Sequence, residues 1–281
     1  MPETNYQLIT DAVALGAAVA ELSKHQVVGI DTETTSLDPY GGRMRLVQIA
    51  APDGVRVVDL DRFIDGDLKR GDALGPLRDL IAASRPVKIA HNAKFDAKWL
   101  KHDLGVEIGG LFDTLLASQI ISAGDSDDRH GLDAVAARYL NERVDKAERL
   151  SDWSGTLSSA QLEYAARDAA VLVPLRERMI DRLKADALVE CSQLEFECVL
   201  PVATMELTGF YLDAVCWREQ LKRVQSTRAV LADELQEMLS VGAVQGSLFG
   251  RAEINLDSHV QLTDALKNLG VPLPDLPLRD S

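Results

Sequence analysis

Three short, mostly apolar runs follow one another closely in the N-terminal part of the chain. They are Val27-Val28-Gly29-Ile30, Arg45-Leu46-Val47-Gln48-Ile49 and Val55-Arg56-Val57-Val58. Their shortness and β-branched content predict strands. Pro52-Asp53-Gly54 supplies turn chemistry between the last two and predicts a hairpin, and Gly41-Gly42 marks the preceding turn. PVKIA (86–90) predicts a fourth short strand, followed by a helix from near Ala93 that stops before Gly105. Helices then alternate with polar loops, of which GDSDDRHG (124–131) is expected to be the most exposed. A long helix is predicted after Ser158, with Gln161 as its capping-box partner and Pro174 as a kink or break.

From about residue 186 the pattern is helical only. Val215, Leu221, Val224, Leu231, Leu235 and Met238 recur at helical spacing and predict one long amphipathic helix. GAVQGSLFG (242–250) reads as a loop. Ser258 and Gln261 open a further short helix with a second capping box, ended by Gly270 and Pro272. The organisation is therefore an α/β domain over 1–185 followed by an all-α segment over 186–281.

Composition narrows the possibilities. Of the 281 residues, 46% are hydrophobic, enough for a packed core. No run approaches the roughly 18 apolar residues of a membrane span, and MPETNYQLITDA lacks the basic-then-apolar order of a signal peptide. Cys191, Cys198 and Cys216 fit no zinc spacing and read as reduced thiols, so a cytoplasmic protein without membrane attachment is expected. The net charge of −14 argues against broad, charge-driven binding of duplex nucleic acid. A narrow cleft gripping a few nucleotides through cations and stacking remains compatible with it.

The chemistry begins where the first strand ends. Asp31 and Glu33 alternate with Thr32 and so share one face. Two like charges this close call for something positive between them, and hard divalent cations favour carboxylate oxygens. Alone, the pair reads equally well as a solvated strand end. Asp96 lies early in the helix after the fourth strand, where an acid also suits the helix dipole. Tyr164 and Asp168 stand four residues apart on one helical face, as an ordinary half-buried pair would.

Taken together, DTET (31–34), NAKFD (92–96) and YAARD (164–168) resemble the three motifs of the DEDD superfamily of 3′–5′ exonucleases, in its tyrosine variant. The resemblance covers residues 25–180 and implies a ribonuclease H-like mixed sheet flanked by helices. It implies that Asp31, Glu33, Asp96 and Asp168 hold two divalent cations, Mg²⁺ or Mn²⁺, roughly 4 Å apart, and that Tyr164 aims the attacking water. By the same resemblance Thr34 and Leu37 contact the terminal nucleotide, Asn92 contacts the incoming strand, and Lys146 meets a phosphate. Trp153 reads as core. Phe95 stands where many relatives carry Tyr, which keeps stacking and loses a hydroxyl contact.

LEFECVLPVATMELTGFYLDAVCWREQL (194–221) and INLDSHVQLTDALKNLGVPLP (254–274) resemble the start of the thumb of family A DNA polymerases. No stretch resembles a palm or fingers, so polymerisation by this chain alone is not expected. The leading expectation is hydrolysis of single-stranded DNA from its 3′ end, with a polymerase subunit supplying palm and fingers as a partner. A ribonuclease D-like enzyme acting on RNA is the close alternative. A non-catalytic docking module is the alternative of another class, and it predicts loss of a carboxylate that this sequence retains.

Overall fold

In the computed structural model of the chain, the described residues are 4–63, 71–123, 129–142, 151–240 and 254–273. Six strands form one sheet: β1 (Tyr6–Ile9), β2 (Val27–Thr34), β3 (Met44–Ala51), β4 (Gly54–Asp59), β5 (Val87–Ala90) and β6 (Leu111–Asp113). Their spatial order is β1-β4-β3-β2-β5-β6. The β3–β4 hairpin forms around Pro52-Asp53 as expected, and β2 runs antiparallel to β3. The β1–β4, β2–β5 and β5–β6 pairs are parallel, so the sheet is the mixed, ribonuclease H-like one. Strands β1 and β6 went unpredicted, since four and three residues are too few to show a period.

Helices cover both faces. Along the chain they are α1 (Ala12–Leu22), α2 (Gly75–Ala82), α3 (Ala93–Trp99), α4 (Thr114–Ile121), α5 (Leu132–Leu140), α6 (Ser159–Ala170), α7 (Leu172–Ala185) and α8 (Val189–Thr208). Alternation along β2 and β3 assigns the layers. Val28, Ile30, Val47 and Ile49 enter a core with Leu15, Leu22, Leu77 and Trp99. On the other face, Leu46 and Ala50 meet Ala165, Ala166 and Ala169 of α6. Gly29 makes this close approach feasible: a Cβ there would lie 2.7 Å from the Ala169 carbonyl oxygen.

Helix α6 opens with the expected Ser158–Gln161 capping box. The break from α7 comes at Val171, and Pro174 sits in the first turn of α7, where its missing N–H leaves nothing unsatisfied. Helix α3 continues as a π-helical stretch over Leu100–Leu104 and closes at Gly105, whose φ is 66°.

Contacts divide the chain into two compact units, Met1–Gly209 and Phe210–Ser281. The pattern becomes all-helical from about 186, yet α8 packs with the first unit. Phe196 joins the cluster of Phe112, Leu175 and Met179, while Val199 and Ala203 enter the core behind β2. Glu206 then accepts from Lys94 Nζ at 2.6 Å and Lys98 Nζ at 2.8 Å, tying α8 to α3. The second unit holds α9 (Ala214–Ser240), the long helix expected, and α10 (His259–Asn268). Only half of the second capping box forms: Ser258 Oγ accepts from Gln261 N, whereas Gln261 Oε1 accepts from Asn255 N. The expected loop at 242–250 and most of 124–131 lie outside the described residues.

Asp113 links the sheet to two helices at once. Its carboxylate accepts from Leu115 and Leu116 at the start of α4, and from Asn92 (3.1 Å) and Ala93 (2.8 Å) at the start of α3. Asp113 is 2% exposed, so its carboxylate depends on these N–H groups rather than on water. Asp113→Ala is expected to lower stability by at least about 2 kcal/mol, read from urea unfolding, with Asp113→Asn recovering part of the loss.

Candidate active site

The last β2–β5 pair is Gly29 with Ile89, and β2 runs on past it to Thr34. Beyond the end of β5 the chain turns through Asn92, in the left-handed region at φ 63°, and starts α3 beside this overhang. Thr32, between the two strand acids, donates from Oγ1 to Asp96 Oδ1 at 2.7 Å. The β2–β3 ladder shifts register between Glu33, opposite Leu46, and Thr34, opposite Met44, which leaves Arg45 as the extra residue of a bulge.

Arg45 is 6% exposed. Its guanidinium donates to Asp59 at 2.9 Å and to the Gly155 carbonyl at 2.7 Å. Arg43 bonds Asp61 and the Ser154 carbonyl. Gln161 holds the same segment from the other side, through Ser151 and the Asp152 carbonyl. The segment presents Trp153, 4% exposed, to the Tyr164 ring, with centroids 6.4 Å apart. Trp153 is thus core, as its sequence context indicated.

Asp31, Glu33, Asp96, Tyr164 and Asp168, drawn from three separate segments, share one electrostatic environment. Burial first, and then the charges of Asp96, Glu33 and Asp168, push the Asp31 carboxyl well above its usual range. Burial, followed by Asp168 and Asp96, raises Glu33 to about 9. Asp96, 2% exposed, is raised by burial to about 7 despite the hydrogen bond from Thr32. The Tyr164 hydroxyl bonds Asp168 and is pushed up by burial and by the acids around it. Among the described residues no lysine or arginine acts on Asp31 or Glu33. An all-oxygen, anionic donor set of this kind suits hard divalent cations. Among the described residues, no three His, Cys, Asp or Glu side chains stand in a ready metal-holding arrangement, and a cation between these acids would favour their charged forms.

The other expected contacts are more dispersed. Thr34 donates to the Ser36 carbonyl at 2.7 Å, and Leu37 follows on the loop with 85% of its surface open. Asn92 is exposed at the α3 N-terminus, and Phe95 packs near Trp99 at 6.5 Å between centroids. Lys146 lies outside the described residues. Sequence reasoning passed over Thr32, Arg45, Gln48 and Asp113. The signal available for Arg45 and Gln48 was a polar residue inside an otherwise apolar strand.

With this geometry established, comparison with known proteins assigns the class. The profile of the 3′-5′ exonuclease family matches residues 6–184. The chain belongs to that family, and its relatives include DNA polymerase I and ribonuclease D proteins. DNA polymerase I of Aquifex aeolicus is 31% identical over 240 residues, covering 79% of this chain and 38% of the polymerase. Ribonuclease D of Nitrobacter hamburgensis is 35% identical over 166 residues, covering 59% of this chain and 41% of that protein. The chain thus spans well under half the length of either. Among solved structures, Brucella melitensis NrnC bound to pGG superposes with a TM-score of 0.60 at 28% identity, covering 73% of this chain and 92% of NrnC. NrnC has also been solved with bound Mg²⁺.

The raised carboxyls set a pH dependence. Glu33 and Asp96 hold protons in the folded chain up to about 9 and about 7, against ordinary values of 4.5 and 3.8. Between each pair of values the folded state binds the extra proton, so stability falls as pH rises, by up to about 1.4 kcal/mol per pH unit for each group. Asp53, Asp61 and Glu206 are shifted downward and act below this window. In chelator, the melting temperature is expected to fall between pH 5 and pH 9. Added Mn²⁺ should restore more at pH 8 than at pH 5, and a flat profile would contradict the shared burial of these acids.

Proposed function

We propose that this chain is a metal-dependent 3′–5′ exonuclease that removes nucleoside monophosphates from single-stranded DNA ends. Asp31, Glu33, Asp96 and Asp168 would hold the divalent cations. The observation that supports this reading is the convergence of those four carboxylates and the Tyr164 hydroxyl, without a cationic side chain acting on Asp31 or Glu33. Bound divalent cations would supply Lewis-acid activation of water and neutralise charge on the leaving 3′ oxygen.

The remaining roles fall to the chain's own groups. Water attacks phosphorus in line, a P–O bond forms, the bond to the 3′ oxygen breaks, and that oxygen ends protonated. The Tyr164 proton is directed to Asp168, so its oxygen is left to accept a hydrogen bond from the attacking water. This is positioning rather than base catalysis, because burial keeps the phenol protonated. Leu37 would wedge against the terminal base, with Thr34 and Asn92 contacting the strand.

DNA is favoured because the similarity to DNA polymerase I runs for 240 residues, into the helices beyond the exonuclease region. On this reading those helices begin a thumb, with palm and fingers supplied from elsewhere. RNA is the second reading, favoured by the 35% identity with ribonuclease D and the pGG complex of NrnC. Digestion of 5′-labelled single-stranded DNA, matched RNA and dinucleotides, with Mg²⁺, Mn²⁺ or EDTA, decides between them. A cation-dependent ladder shortening from the 3′ end on DNA is expected, and faster RNA or dinucleotide cleavage would reassign the substrate. Asp31→Ala should abolish the ladder while the protein stays folded and its melt becomes insensitive to metal. Tyr164→Phe should lower kcat about 100-fold with cation affinity unchanged.

A further inference from the structure

Gln48 lies in the middle of β3 with no exposure to solvent, and neither its amide nitrogen nor its oxygen has a hydrogen-bond partner. Among the described residues it is the one side chain with both a buried donor and a buried acceptor unmatched. Such groups cost stability, and a methionine would fill the same space without that cost. The location of the amide gives it a purpose.

In the β2–β3 register Gln48 stands directly opposite Asp31. Residues opposed in an antiparallel pair point to the same face, with Cβ atoms about 4.5–5.5 Å apart. The neighbouring pairs on that face are Gly29 with Ala50 and Glu33 with Leu46. Leu46 and Ala50 pack against Ala165, Ala166 and Ala169, on the helix that carries Tyr164 and Asp168. Gln48 therefore forms the floor of the site, beneath α6 and beside Asp31.

We infer that Gln48 is a positioning residue for Asp31, its amide N–H donating to the Asp31 carboxylate when cations occupy the site. The inference rests on the reading of the four acids as cation ligands. An unsupported aspartate has several rotamers open to it, and a neutral donor from the adjacent strand would select one without adding charge. Support of this kind behind a ligand is typically worth 10- to 100-fold in metal affinity.

The test is calorimetric titration of Mn²⁺ into the full chain without substrate, comparing wild type, Gln48→Met and Asp31→Ala. Gln48→Met is expected to bind Mn²⁺ at least about 10-fold more weakly, with an unchanged or higher melting temperature in chelator. Its kcat should fall while KM for an oligonucleotide holds. Mn²⁺ affinity equal to wild type would overturn the proposal. Nuclear magnetic resonance of the wild type gives a reading that needs no variant to fold. The Gln48 side-chain amide protons should shift on Mg²⁺ addition, and unmoved resonances would equally overturn the proposal. If wild type binds neither cation, the ligand assignment itself fails and this inference falls with it.

Discussion

The first unit is organised around four acids gathered at the end of one strand, with Asp96 and Asp168 buried and Asp31 and Glu33 partly so. Grouping such acids opposes folding unless protons or cations neutralise them, so the surrounding elements must hold them in place. The sheet holds Asp31 and Glu33 on an overhang past β5. Asp113 pins the start of α3, which carries Asp96, and Thr32 bonds Asp96 directly. Small residues on α6 let Tyr164 and Asp168 approach, and the Arg43–Arg45 pair secures the segment that backs Tyr164. Each device is local and ordinary; their common target is a place where like charges meet.

Much of this was legible in the sequence because the central strands are β-branched and bounded by turn residues. The hairpin, the helix after Ala93 and the capped helix at Ser158 follow from such signals. The acids were legible as three motifs, although only the fold shows that they meet. Strands β1 and β6 escaped because four and three residues give too few alternations to mark a strand. The grouping of α8 with the first unit escaped because its contacts are long-range: nothing near Phe196 announces that it will meet Phe112, with ring centroids 4.9 Å apart. Gln48 and Arg45 escaped for a related reason. A polar residue in a strand has meaning only once the register says what it faces.

Helix α8 also explains why the helical composition and the compact unit do not share a boundary. The pattern changes when strands cease, at about 186, but burial continues through Ala203, and ion pairs through Glu206. Gly209, with φ 62°, ends the helix in a conformation that side chains disfavour, and the first unit ends there. A glycine that closes a helix is thus a better marker of this boundary than the loss of strand character.

The bulge at Arg45 carries a consequence for how the chain tolerates changes of length. Side chains on a strand alternate, so inserting or deleting a residue exchanges inside for outside from that point onward. Strand β3 already contains one such odd residue, and the faces of Leu46, Gln48 and Ala50 are set with respect to it. A deletion of Val47 would turn Ile49 toward the acids and send Gln48 into the opposite core. A deletion at Arg45 itself would straighten the ladder and remove the clasp on Trp153. In β3, therefore, residue count matters as much as residue identity, and protein engineering on this scaffold has its freedom in the loops.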